Sequence, residues 1–265
     1  MALRIEVSEE AGVRYLHFGS SWIQGAMRIA RPWSLELDYT RDMMAALLLR
    51  ETSARTPARR GGARRDPSWP RAVLIIGLGA ASIPKFLHRH RPRTRLRIVE
   101  IEPAVVEAAR HFFKLPADDP PRFVIEIADA ADYVARVRDA FDLILVDGFD
   151  ASGRAGALDT STFYAHARHA LTDTGIMAVN LLGRSRGYAA SVARIAAAFD
   201  DRVTRLRCQT GNVIAFAAAG ERVDASFPEL RDAAARLREQ SGLNLLPTIA
   251  RLAAARHGAG DRLVL

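Results

Sequence analysis

Residues 71–102, RAVLIIGLGAASIPKFLHRHRPRTRLRIVEIE, constrain the fold more than any other stretch of the chain. The apolar run from Ala72 to Ile76 stops at Gly77-Leu78-Gly79. A helical segment follows, and a second apolar run ends in Glu100-Ile101-Glu102. This order predicts strand, tight turn, helix, strand and carboxylate, as in a doubly wound sheet. There the carboxylate stands beside the glycine turn, at the carboxyl ends of neighbouring strands. Glycine lets the backbone come close to a ligand, and a carboxylate can accept hydrogen bonds from both hydroxyls of a ribose. Gly77, Gly79 and Glu100 therefore predict a nucleoside site. The plainer reading of Glu100 is a solvated strand-end acid, but its place 21 residues after Gly79 fits ribose better. The glycine turn alone is weak, because Ser82 stands where a dinucleotide fingerprint has glycine or alanine.

The rest of the chain continues the alternation. Strands are predicted at 73–76, 96–101, 122–127, 141–146 and 176–181, and helices at 82–90, 103–114, 130–137, 160–171 and 187–199. Pro103 suits the first turn of its helix. Strands at 203–208 and 213–218, separated by Gln209-Thr210-Gly211-Asn212, suit an antiparallel hairpin. The expected fold is therefore α/β, a Rossmann-like sheet that is mostly parallel with a C-terminal antiparallel hairpin. Ahead of it, short strands at 3–7, 13–18 and 20–27 form a small N-terminal β element. A helix over 39–50, with Asp38 as its cap, links the two parts. Three segments are expected: 1–50 as the β element and linking helix, 51–70 as an Arg/Pro/Gly-rich surface loop, and 71–265 as the nucleoside-binding catalytic domain. Two amphipathic helices, 228–240 and 247–257, close the chain.

Composition narrows the function classes. The chain has 265 residues, 49% of them hydrophobic, and no apolar run long enough to span a membrane. No signal-peptide core is seen at the N-terminus, so the cytoplasm is the expected location. Cys208 is the only cysteine, which excludes an intrachain disulfide and a cysteine metal cluster. The net charge of +8 raises a nucleic-acid role, but all but two of the 38 basic residues are arginine, a bias that GC-rich coding also produces. Five arginines cluster at positions 55, 59, 60, 64 and 65.

Two further acids end predicted strands. Asp129 can accept from the exocyclic amino group of adenine, and it is equally suited to cap a helix. Asp147 and Asp150 flank Gly148-Phe149 and make an acidic rim. Such a rim attracts a cationic substrate, and one member can take a proton from an attacking amine. The same residues also suit a plain turn. The long segment to Asp159 contains Gly153 and Gly156 and is placed to close over a ligand. The histidines at 88, 90, 111, 166 and 169 share no ligand-like spacing and read as surface or structural, so no metal is expected.

Taken together, IIGLGAASIPKFL, RIVEIEPAVVEAARHFF, IADAADYV and FDLILVDGFDASGRAGALDTSTFY resemble the spermidine synthase family of polyamine aminopropyltransferases, most strongly over residues 72–181. The resemblance implies a class I S-adenosylmethionine methyltransferase fold with a small N-terminal β-domain. It implies decarboxylated S-adenosylmethionine as co-substrate, an amine acceptor and a homodimer. Gly77, Gly79, Glu100, Ile101, Asp129 and Ala130 match the nucleoside-binding positions. Asp147 matches the acid that helps deprotonate the attacking amine. Gln24 and Asp150 match substrate-side positions, and Tyr39, one residue before the family's tyrosine, is assigned to the same side.

The chain also departs from the family. Ala80 replaces an aspartate that contacts the donor's aminopropyl end, and Thr40-Arg41 replaces a Tyr-His or Tyr-Gln pair. Gly148-Phe149 replaces two serines, and a Pro-Thr-Tyr-Pro segment is missing near Gln209–Asn212. Losing a negative charge at position 80 removes a repulsion against the carboxylate of intact S-adenosylmethionine. The resemblance thus implies aminopropyl transfer. Methyl transfer from S-adenosylmethionine is the alternative, and a non-catalytic adenosyl-ligand or nucleic-acid binding protein is a second.

Overall fold

A computed structural model describes residues 3–51, 69–149, 153–183, 187–255 and 260–265. The Arg-rich cluster and Asp150 lie outside the described residues. Strands β1 (Ile5–Glu10), β2 (Val13–Phe18) and β3 (Ile23–Arg28) form an antiparallel sheet in the order β1-β2-β3. β3 starts later than the expected Ser20, because Ser20 Oγ accepts from the Trp22 N–H and closes a local turn there.

The expected linking helix over 39–50 is in fact three short pieces: α1 (Asp38–Met43), a 3₁₀ turn (Met44–Leu47) and α2 (Leu48–Glu51). Residues 43–49 are all buried, so packing on every side governs the local winding here rather than helix propensity alone. Asp38 does not cap α1. Leu37 holds the cap position, and Asp38 is drawn instead to Thr210.

The central sheet contains β4 (Ala72–Ile76), β5 (Arg95–Glu100), β6 (Phe123–Ile127), β7 (Phe141–Val146), β8 (Leu171–Leu182), β9 (Val203–Arg207) and β10 (Asn212–Ala218). Their order is β6-β5-β4-β7-β8-β10-β9. The first five pair in parallel, while β10 runs antiparallel to both β8 and β9. This is the methyltransferase-like α/β sheet expected above. Helices α3 (Ser82–His90), α4 (Pro103–Phe112), α5 (Ala130–Ala135), α6 (Ser161–Ala170) and α7 (Tyr188–Ala198) join the strands. The chain runs outward from β4 through β5 to β6, then returns to the other side of β4 for β7. That reversal opens a crevice at the carboxyl ends of β4 and β7, where ligands of such sheets bind.

Alternate residues of β4 feed opposite cores. Val73 and Ile75 pack with α3, α4 and residues 43–49, while Leu74 and Ile76 pack with α5, α6 and α7. A strand covered on both faces must be apolar throughout, which is why it was so plain in the sequence.

After the sheet, β11 (Asp224–Ser226) leads into α8 (Phe227–Ser241), then α9 (Leu246–Ala254) and β12 (Arg262–Val264). Ser226 and Glu229 form a reciprocal capping box that starts α8. The antiparallel β11–β12 pair was not expected, since three residues are too few to display an alternating pattern.

Candidate active site

Gly77 begins the crevice. Its φ is +89°, and a Cβ there would strike the main-chain oxygen of Asp147. Only glycine allows β4 and β7 to end this close together. Ala81 is also left-handed, with φ +54°, and it hands the turn over to α3.

Glu100 ends β5 and is not the solvated acid of the plainer reading, being only 8% exposed. One carboxylate oxygen accepts from the Leu78 N–H at 2.9 Å and the other from the Glu102 N–H at 2.9 Å. Burial pushes its pKa up, and these backbone donors oppose the shift. The acid thus fixes the glycine turn, and it keeps lone pairs on the cleft wall for a ligand. Asp129 caps α5 by accepting from the Ala131 N–H at 2.7 Å, and it lines the same cleft beside Ala130, Ile101 and Glu102.

Asp147 stands at the other end, directly after β7. Tyr39 Oη donates to one oxygen at 3.1 Å, and Asn180 Nδ2 donates to the other at 2.8 Å. Burial raises the Asp147 pKa, while the Asn180 and Tyr39 bonds hold it down. Burial and the Asp147 charge push the Tyr39 phenol far above its usual range, so it remains a donor. Asn180 in turn accepts from Asn212 Nδ2 at 2.8 Å.

The cleft has a volume of about 620 Å³, within the range of small-molecule sites. Gln24, Tyr39, the glycine turn, Glu100, Asp129 and Asp147 all line it. The structure therefore brings together the predicted site residues that it describes. The N-terminal sheet forms part of the wall. Gly25 lies so close to Ala80 that a Cβ on it would sit 2.6 Å from the Ala80 Cβ, and Ser82 Oγ donates to the Ala26 carbonyl. Ala80, in place of the family's aspartate, is therefore packed under the sheet and 2% exposed. The far end of the 147–159 segment is anchored at Asp159, which accepts from Tyr164, Ser191 and Arg194.

Two residues of this site went unpredicted. Asn180 is a buried amide inside the apolar run of β8, and that mismatch was its only signal in the sequence. Asn212 had been assigned to the hairpin turn, yet it is the first residue of β10.

The arrangement offers hydrogen-bond acceptors at Glu100 and Asp129 on one side of the cleft and a buried carboxylate, Asp147, on the other. Comparison with known proteins agrees. The family described as spermine/spermidine synthase domain matches residues 63–181. A polyamine aminopropyltransferase of Chromobacterium violaceum is 34% identical over 249 residues, which cover 94% of this chain and 88% of that protein. A solved structure of a probable spermidine synthase from Corynebacterium glutamicum superposes with a TM-score of 0.66 at 19% identity, over 81% of this chain and 76% of that one. The human methyltransferase-like protein 13 in complex with SAH superposes at 0.63 with 25% identity, over 78% and 93%.

Proposed function

The chain belongs to the spermine/spermidine synthase family of polyamine aminopropyltransferases, and on that premise we propose that Asp147 is the proton acceptor in aminopropyl transfer to a small amine. The donor is decarboxylated S-adenosylmethionine, bound with its ribose against Glu100 and its adenine toward Asp129. The amine sits by Asp147, Tyr39 and Gln24. Its nitrogen lone pair attacks the methylene next to the sulfonium. A carbon–nitrogen bond forms, the carbon–sulfur bond breaks with its electron pair going to sulfur, and 5′-methylthioadenosine leaves. The nitrogen gives up one proton, which Asp147 takes. The sulfonium is already an activated leaving group, so the protein contributes mainly positioning and a correctly ionised base.

The observation that carries this reading is the setting of Asp147. It is a buried carboxylate facing the cleft, with both oxygens held by neutral donors, Tyr39 and Asn180. A carboxylate in that setting has proton affinity to use. Asp147→Asn is expected to lower 5′-methylthioadenosine release about a thousandfold, with donor affinity within a few-fold of the parent. Turnover near the parent level would remove Asp147 from the mechanism. Release of S-adenosylhomocysteine from intact S-adenosylmethionine, with no methylthioadenosine from either donor, would replace the reaction by methyl transfer. The family resemblance also supports a homodimer, which a sedimentation mass of two chains would register.

A further inference from the structure

We propose that Asn180 and Asn212 act as an amide relay that holds Asp147 in its ionised, proton-accepting form, which makes them positioning residues for the transfer. The inference rests on the reading of Asp147 as the proton acceptor.

The relay follows from donor and acceptor direction. An ionised carboxylate can only accept hydrogen bonds, whereas an amide side chain has a donor end and an acceptor end. Asn180 Nδ2 lies 2.8 Å from Asp147 Oδ1, so its donor end meets the acid. Its acceptor end receives Asn212 Nδ2, also at 2.8 Å. Asn180 alone could turn its amide over and offer a carbonyl to Asp147, and that arrangement is a good bond only when Asp147 carries a proton. Donation from Asn212 to that acceptor end favours the orientation in which Asn180 donates to Asp147.

Position in the sheet makes this a fixed device. Asn212 pairs with Leu182 in the antiparallel register of β10 against β8, and Ile214 pairs with Asn180. The two amides are therefore diagonal neighbours, within side-chain reach. Asn180 is 4% exposed near the carboxyl end of an apolar strand, where an unpaired amide would be costly. The hairpin that carries Asn212 is tied to the helix that carries Tyr39. Thr210 N and Oγ1 both donate to Asp38, at 3.1 and 2.6 Å. A closed circuit results: Tyr39, Asp147, Asn180, Asn212 and back through Thr210 to Asp38.

Among the described residues, the other titratable groups facing this circuit are few. Tyr39 is bonded to Asp147, and Asp38 and Cys208 act on Tyr39. Glu100, Glu102, Asp129 and Arg154 stand on the cleft wall.

The test is the pH profile of kcat/KM for methylthioadenosine release, measured with putrescine and decarboxylated S-adenosylmethionine. In Asn212→Asp, the new carboxylate can only accept. Asn180 must then turn to donate to it and presents its carbonyl to Asp147. The acid limb is expected to rise by about one to two pH units. Asn180→Leu, which leaves Asp147 with one donor fewer, is expected to shift the limb the same way. Asn212 lies at the partly exposed start of β10, so its variant carries the test if the buried leucine disturbs folding. A loss of activity that is constant across pH, or a limb that stays in place, would overturn the relay and leave Asp147 as the acceptor. An active Asp147→Asn enzyme would overturn the reading beneath it.

Discussion

At the nucleoside end of the cleft, Glu100 and Asp129 accept from backbone N–H groups of the turn and helix beside them. At the reaction end, Asp147 accepts from side chains that arrive from α1 and β8, 108 and 33 residues away in sequence. The difference assigns the two ends different tasks. An acid bonded to main chain fixes the shape of a loop, and replacing it disturbs that shape. An acid bonded to side chains has its ionisation set by those partners, and they can be replaced without moving the backbone.

Paired substitutions break this contrast most directly. Asp147→Asn should remove turnover and spare binding, as set out above. Glu100→Gln should do the reverse. Its amide nitrogen must face either the Leu78 or the Glu102 N–H, leaving two donors opposed. The expected result is donor-site affinity about 10- to 100-fold weaker, read by calorimetry with methylthioadenosine, with kcat at saturating donor close to the parent. Equal affinity in the two proteins would mean that Glu100 does not shape the turn.

A second test concerns stability beneath the nucleoside end. Lys85 on α3 is fully buried and donates to the Phe113 carbonyl at the end of α4. Burial lowers its pKa from 10.5 to about 7. Between those values the unfolded chain binds more protons than the folded one, so stability rises with pH across that window. Below about pH 7 both states are charged and the full cost of the buried charge is present. Lys85→Met should therefore be more stable than the parent at pH 6, by about 2 kcal/mol after allowing for the orphaned carbonyl. The advantage should shrink as pH rises toward 10. Denaturant melts at several pH values measure it, and a difference that does not change with pH would show that Lys85 keeps its ordinary pKa in the folded chain.

The smallest effect is expected from Thr210→Val. It removes the hydroxyl's bond to Asp38, leaves the main-chain one, and touches neither Asp147 nor its amides. Stability should fall by about 1 kcal/mol, and the acid limb of the pH profile should stay where it is. A shifted limb would extend the relay into the hairpin itself.

The same contrast explains what could be read in advance. The nucleoside end is contiguous in sequence. Glycine turn, strand, acid and helix lie within one unit, and each choice of residue type carries local meaning, so Gly77, Glu100 and Asp129 were legible. Asp147 was legible as a strand-end acid, but its partners were not. Tyr39 stands one residue before the family's tyrosine position, and only the packed α1 shows that its hydroxyl reaches the acid. Asn180 and Asn212 meet through the antiparallel register of β8 and β10, and no short-range pattern encodes a diagonal pair. The linking segment is helical as expected, but its 3₁₀ turn was not legible for a related reason, because residues 43–49 are enclosed on all sides and no single face shows in their spacing.

The close seat of Gly25 on Ala80 ties two choices together that would otherwise be independent. Any side chain on residue 25 would press on Ala80, so the small sheet could no longer seat on the glycine turn. Gln24 on that sheet and Gly79 in that turn both line the cleft, so this side of the wall is a joint product of the two parts, and a change at residue 25 would reach a ligand through the turn.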